Sequence, residues 1–118
     1  MITLDFRYYE ETFHRAPPRM VKVLTLLRGE FGQFQEQLFR AFEADDQDAF
    51  RRVVHRLGAQ FEALGLHETQ ALLLRMRELL LTAAPDAEKE WAAAQMREHF
   101  KQIAHAVDRR IDEVEATR

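Results

Sequence analysis

The chain has no cysteine, which excludes disulfides, thiol nucleophiles and cysteine-ligated metal sites and is compatible with the cytoplasm, where we expect the protein. Only 4 glycines and 3 prolines occur in 118 residues, too few turn residues for a domain of many short strands. No apolar run approaches the roughly 20 residues that a membrane-spanning helix needs. The N-terminal stretch MITLDFRYYEETF contains acids and no apolar segment, so we expect no secretory signal.

An excess of basic residues is also missing. The chain has 17 Lys and Arg against 20 Asp and Glu, a net charge of −3. A general nucleic-acid-binding domain is expected to be clearly basic, so this class is disfavoured. What the chain does have is 47% hydrophobic residues, which is enough to form a core and too many for a disordered chain. The length favours one domain.

Apolar residues recur at helical spacing along nearly the whole chain. The pattern and its breaks predict helices over about 4–13, 18–44, 47–64, 68–81 and 86–115. Gly65 has the residue type that often ends a helix, and the prolines at 17 and 18 suit a first turn. Four substantial helices with short connections predict an all-α fold, an antiparallel up-down four-helix bundle with a short extra N-terminal helix.

Three aromatic residues receive specific positions from this pattern. Phe34 falls on the apolar stripe of the second predicted helix, and Phe39 lies beside the stripe, where it would be available to line a docking surface. On the last predicted helix, Trp91 is assigned to the same side as Phe100 and Val107. That assignment predicts a buried tryptophan.

The stretch FRRVVHRLGAQFEALGL contains one histidine, His55, within the third predicted helix. With Phe50 set at zero and about 100° per residue, Leu57 and Phe61 fall within roughly 40° of zero. His55 falls near 140°, well away from this apolar stripe. The imidazole is therefore predicted to lie on the outer face of its helix.

The residues one turn away suit an imidazole that reacts. Arg51 and Arg52 precede His55, and the small residues Gly58 and Ala59 follow it. A neutral imidazole nitrogen is a nucleophile that forms covalent intermediates, and neighbouring cations favour a phosphorylated product. Because Gly58 weakens a helix by about 1 kcal/mol relative to alanine, its presence suggests that access to the ring matters.

The stretch VHRLGAQFEALGL resembles the motif of histidine-containing phosphotransfer (HPt) domains, the intermediate carriers of multistep phosphorelays. That motif is roughly His-x-Leu-Lys-Gly, followed by small residues and then Leu-Gly. His55, Leu57, Leu64 and Gly65 stand at the matching offsets. The preceding FEADDQDAFRRVV is similar to the acidic turn that leads into the family's histidine helix, and the likeness extends over most of the chain.

The resemblance implies one HPt-like bundle domain over 1–118, in which His55 accepts a phosphoryl group from one receiver-domain aspartate and passes it to another. It implies no ATP-dependent kinase activity and no cofactor, with Mg²⁺ bound only by the partner receiver domain. The implied partners are a response-regulator receiver domain, a hybrid sensor histidine kinase, or both. Neither nucleic acid nor a membrane is implied.

Two positions depart from the family pattern. The family usually has a lysine three residues after the histidine, where this chain has Gly58, and a glycine at the next position, where it has Ala59. We expect an arginine to supply the missing positive charge, and the candidates are Arg51, Arg52 and Arg77. Glu62, two turns after the histidine, is a weaker candidate to hydrogen-bond toward the ring.

Other functions remain open from the sequence. A non-catalytic helical adaptor, a degenerate HPt-like bundle that has lost the chemistry, and a fragment of a larger sensor protein would each give the same periodicity. Metal binding is disfavoured, because the remaining histidines do not pair with one another or with glutamates at ligand spacing. These histidines are His14, His67, His99 and His105.

Overall fold

The computed structural model describes residues 1–117 and confirms the all-α bundle. It contains five helices: α1 (Arg7–Phe13), α2 (Pro17–Glu43), α3 (Gln47–Ala63), α4 (His67–Leu81) and α5 (Asp86–Ala116), with no strand within those residues. The predicted start of α1 at residue 4 is wrong. Asp5 makes hydrogen bonds that are not those of a helix. Its amide donates to the Leu64 carbonyl at 2.8 Å, and its carboxylate accepts from the Arg7 amide at 2.9 Å. These bonds hold residues 1–6 as a non-helical N-terminal segment.

The four long helices pack in a ring, with α2 against α3, α3 against α4, α4 against α5 and α5 against α2, while α1 packs on α2. At a rise of 1.5 Å per residue, α2 and α5 are roughly 40 and 46 Å long, whereas α3 and α4 are only about 26 and 23 Å. The four-helix section therefore covers only part of the 50 Å long molecule. None of the helices within residues 1–117 has the length and apolarity needed to cross a bilayer.

The helix ends follow their sequence signals. Asp46 caps α3, accepting the Ala49 amide at 3.0 Å. At the other end, Gly65 has φ +65°, its amide donates to Glu62, and the next amide donates to Phe61. This pair of bonds is a Schellman ending, which satisfies carbonyls left free at the helix terminus. It turns the chain into α4 within three residues.

Aromatic rings join α2, α3 and α5 at the centre of the core. The Phe61 ring lies 5.8 Å from that of Phe31 and 6.0 Å from that of Phe100, and Phe39 lies 6.1 Å from Phe100. Phe39 is therefore buried, and its predicted place on a docking surface is wrong. Phe34 is half-buried against the core.

Trp91 is 57% exposed, so its predicted place on the buried side of α5 is also wrong. Nine residues separate it from Phe100, which at about 100° per residue is half a turn of rotation. The buried positions near the start of α5 are instead taken by Ala92 and Ala93. Alanines contribute little to a hydrophobic pattern, so the large tryptophan dominated the pattern at this end of the helix.

A polar contact joins α4 to α5 beside the N-terminal segment. Thr69 is fully buried, and its Oγ1 lies 2.8 Å from Nδ1 of His99. Burial lowers the pKa of His99, and the nearby carboxylates of Glu68 and Glu98 offset this only in part. The folded protein therefore favours the neutral imidazole.

Replacing Gly65 by alanine is expected to lower the free energy of unfolding by about 1–3 kcal/mol. The positive φ disfavours any side chain, and an added Cβ would lie 3.2 Å from the Cβ of Asp5. Urea unfolding followed by circular dichroism measures the loss. Gly29, inside α2 with open space around it, is the matched control, and Gly29→Ala is expected to stabilise by about 0.5–1 kcal/mol. Equal effects of the two changes would contradict this account of Gly65.

The lowered pKa of His99 predicts a pH-dependent stability. The unfolded chain binds a proton on this side chain near pH 6.5, while the folded protein binds it only at lower pH. The contribution of neutral His99 to the free energy of unfolding is therefore fully present above about pH 6.5, and it is lost as the pH falls below that value. His99→Gln is expected to reduce this fall in urea-unfolding curves, whereas His105→Gln, an exposed control, keeps it. An unchanged pH profile in His99→Gln would exclude the assignment.

Candidate functional site

The packing of α3 places His55 at the surface. Phe50, Val53, Leu57 and Phe61 are buried in the core. His55 is exposed on the outer side of the same helix, where the helical wheel predicts it. Its role as phosphoacceptor stays a prediction.

Hydrogen bonds between α3 and α4 fix which residues of α4 lie beside the histidine. Nε2 of Gln70 donates to the Gly58 carbonyl at 3.4 Å, and near the other end Nε2 of Gln47 donates to the Leu80 carbonyl at 3.5 Å. The two helices are therefore antiparallel, with position 70 of α4 beside position 58 of α3 and position 80 beside position 47. In this register the middle of α4 lies level with His55.

The three candidate arginines are exposed: Arg51 and Arg52 lie on two flanks of α3, and Arg77 lies on α4. Arg51 and Arg77 line one groove between α3 and α4, with a volume of about 210 Å³. Arg52 lines a different groove of about 410 Å³ between α2 and α3, together with Arg56. The Arg51 guanidinium lies 3.7 Å from the Asp48 carboxylate, a largely exposed pair of little energetic weight. Guanidinium groups thus lie on both sides of the row that contains His55.

Open space follows the histidine along the helix. Gly58 is half-buried, and a Cβ built on it would meet nothing within 4 Å. Ala59 is exposed. A bulky partner can therefore approach the ring from this direction, and a side chain at position 58 would meet no neighbour at its Cβ.

The proposed hydrogen bond from Glu62 toward the imidazole is wrong. The Glu62 carboxylate accepts from Nε2 of Gln70 at 3.0 Å and makes no hydrogen bond to His55 in the structure of residues 1–117. Gln70 thus bridges the Gly58 carbonyl and the Glu62 carboxylate. It fixes α4 against α3 one turn beyond the histidine.

Sequence reasoning named Arg77 and missed its neighbours on the same side of α4. Gln70, Leu74, Arg77 and Leu81 are spaced four, three and four residues apart and so share one side of the helix. Leu74 and Leu81 are 57% and 59% exposed. Their spacing with Arg77 was the available signal. It was hidden because five other leucine and methionine side chains in the same helix supplied an obvious core.

The chemistry available at this surface is nucleophilic. An exposed imidazole can attack an electrophile, and flanking guanidinium groups can neutralise a phosphate. Within residues 1–117, no group of three or more His, Cys, Asp or Glu side chains is placed to hold a metal ion.

Comparison with known proteins identifies the fold. The chain is similar to the solved HPt domain of a sensor hybrid histidine kinase from Shewanella, with a TM-score of 0.67 and 16% sequence identity over 93% of this chain and 94% of that one. No protein-family model and no curated protein matches the chain. The chain thus has the fold of an HPt domain, which confirms at the level of the fold the resemblance seen in the sequence.

Proposed function

We propose that the protein is a phosphorelay intermediate of two-component signalling that carries a phosphoryl group on His55. The observation that carries the proposal is the exposed imidazole in the middle of α3, within a bundle that has the HPt fold. The sequence offset from His55 to Gly65 adds independent support, because Gly65 also ends the histidine helix in the structure. We further propose that the protein acts in the cytoplasm and has no kinase activity of its own.

The proposed reaction is a simple exchange of bonds. The unprotonated nitrogen of the neutral imidazole attacks the phosphorus of a receiver aspartyl phosphate; an N–P bond forms and the acyl O–P bond breaks. The aspartate leaves as a carboxylate, and the proton on the other ring nitrogen passes to solvent. Reversal of these steps onto a second receiver completes the relay. The Mg²⁺ that assists this transfer belongs to the receiver domain.

The surface around His55 suits a receiver domain or a hybrid kinase as the partner. In the register of α3 and α4, the exposed Leu74 lies level with the histidine. Leu81 extends the apolar surface about two turns further along α4. Exposed apolar side chains beside charged ones are typical of protein-binding surfaces. Arg77 lies between the two leucines, available to the acidic phosphorylation site of a receiver.

His55 is expected to be the phosphorylated residue. Incubation with a panel of receiver domains labelled by radioactive acetyl phosphate should give acid-labile label on the wild-type chain, because the acyl phosphate is activated for attack by the imidazole. His55→Gln should remove the label, and His105→Gln, an exposed histidine on α5, should keep it. Label that persists in a folded His55→Gln protein would exclude this site.

Arginine is expected to replace the charge of the usual lysine. Arg51→Gln, Arg52→Gln and Arg77→Gln should each shorten the lifetime of the phosphohistidine or slow its formation, by roughly two- to fivefold for partly screened charges at the surface. The lifetime is followed by loss of label at neutral pH. If Arg77→Gln changes the lifetime, Arg51→Gln should change it too, because both side chains line the same groove.

Two variants sharpen this measurement. Arg19→Gln, at the far end of α2, removes one exposed positive charge away from the site and should leave the lifetime unchanged. Gly58→Lys should restore the lifetime in the most affected arginine variant, because space is available at that position. Wild-type lifetimes in all three arginine variants would rule out the compensation.

A non-catalytic adaptor is the second candidate, and the absence of the lysine at Gly58 is the observation that favours it. In that case the side of α4 formed by Leu74, Arg77 and Leu81 still binds a signalling protein, but His55→Gln changes neither binding nor activity. A wild-type chain that binds receiver domains and never acquires label would favour this function over the relay.

A further inference from the structure

The surface around His55 continues on the α2 side into a groove of about 410 Å³. Arg52 and Arg56 of α3 lie on one edge of this groove, and Arg40 of α2 lies on the other. At about 100° per residue, Arg52 and Arg56 stand roughly 60° and 100° around α3 from His55. Both lie on the side away from Arg77 and the exposed leucines of α4. The groove is therefore a second flank of the candidate site, distinct from the α4 side.

Basic side chains outnumber acidic ones in the lining of this groove. The lining contains three arginines and one carboxylate, that of Asp46, which accepts a backbone amide as the cap of α3. Arg40 pairs at 2.7 Å with the Glu36 carboxylate, which lies outside the lining. Arg52 and Arg56 are exposed, and neither forms a salt bridge in the structure of residues 1–117. Unpaired positive charge thus lies on the edge next to the histidine.

Arg56 is held differently from Arg52. Its guanidinium carbon lies 6.0 Å from the centre of the Phe34 ring, which is half-buried on α2. This is a weak cation–π contact at the outer limit of its range. It keeps the guanidinium toward α2 rather than toward the imidazole. Arg56 is therefore available to a partner that enters the groove, whereas Arg52 stays the candidate to neutralise a phosphate on His55.

Any protein that donates a phosphoryl group to His55 covers this edge of the groove. A standard interface buries about 800 Å² on each partner, which corresponds to a disc of about 16 Å radius. Arg56 and Arg52 lie only about 1.5 and 4.5 Å from His55 along the helix axis. Both guanidinium groups are therefore inside a footprint centred on the imidazole. Covering an unpaired guanidinium removes its water, which is unfavourable unless an acceptor, best a carboxylate, replaces that water.

We propose that Arg56 is a specificity-determining residue that selects receiver domains with a carboxylate facing the α2/α3 groove. The inference rests on the proposed phosphotransfer at His55. A receiver with a carboxylate in this position pairs with Arg56 when its aspartyl phosphate reaches the imidazole, and a receiver with a basic side chain there is repelled. Since the whole chain carries −3, the local arginine and not the net charge attracts the acidic surface.

Transfer kinetics test the role of Arg56, with the receiver domain of the panel that labels the wild-type chain fastest. Arg56→Glu is expected to raise KM for transfer by about tenfold, because an attractive contact becomes repulsive, and to change kcat much less. Arg56→Lys keeps the charge and should lie near wild type. Arg19→Glu makes the same charge change on α2 outside the groove and is the control. An unchanged KM in Arg56→Glu, or an equal rise in Arg19→Glu, would overturn the proposal.

Phosphoramidate separates docking from chemistry, because it is a small donor that needs no protein contact. The imidazole nitrogen attacks its phosphorus; a new N–P bond forms, the original N–P bond breaks and ammonia leaves. Arg56→Glu should reduce label from the receiver about fivefold more than label from phosphoramidate. Equal losses from the two donors would place Arg56 in the chemistry and contradict the specificity role. Absence of label on the wild-type chain from every receiver would instead exclude the proposed function, and this inference with it.

An exchange of charges with the receiver identifies the paired carboxylate. Exposed Asp and Glu residues within about 16 Å of the receiver's phosphorylated aspartate are changed to lysine one at a time. One of these changes should slow transfer to the wild-type chain by about tenfold, and Arg56→Glu should restore most of that loss, whereas Arg19→Glu should restore none. Circular dichroism confirms that the variants are folded. Absence of rescue by Arg56→Glu at every receiver position would exclude a carboxylate opposite this arginine.

Discussion

The position of the candidate site depends on how α3 is rotated in the core. Phe61 contacts Phe31 of α2 and Phe100 of α5 through their rings, and it is fully buried with Phe50 and Leu57. Fully burying side chains of this size contributes about 1.5–3 kcal/mol each, so a rotation of α3 that exposed them would cost several kcal/mol. With that side fixed inward, His55 has no place except the surface. Accessibility of the imidazole is a consequence of core packing.

Much of this arrangement follows from the sequence because it is set by local periodicity. The helix containing His55 was predicted to within one residue at its end, since Asp46 and Gly65 supply specific cap geometry. The start of α1 was not predictable in the same way. It depends on a bond from the Asp5 amide to the Leu64 carbonyl, a contact between residues far apart in the chain. Long-range bonds of this kind leave no periodic signal.

The errors at Trp91 and Phe39 and the failure to single out Leu74 share a physical cause. Hydrophobicity alone does not say which apolar residue of a helix faces the core when more of them occur than the core can accept. In α5 the core uses alanines near Trp91, and in α2 it includes Phe39, leaving Phe34 half-buried. In α4 it leaves Leu74 exposed beside the candidate site. Only the relative rotation of packed helices decides these positions, and that rotation is a property of the whole bundle.

Gly65 links the histidine helix to the N-terminal segment. Its positive φ ends α3 at the distance from His55 that the HPt motif shows, and its missing Cβ lets Asp5 approach, where a Cβ would lie at 3.2 Å. Asp5 in turn holds the N-terminal segment against the end of α3 through its bond to the Leu64 carbonyl. A side chain at position 65 would thus disturb the end of the histidine helix and the N-terminal segment together. The glycine is therefore needed for two independent reasons, its backbone conformation and its close packing against Asp5.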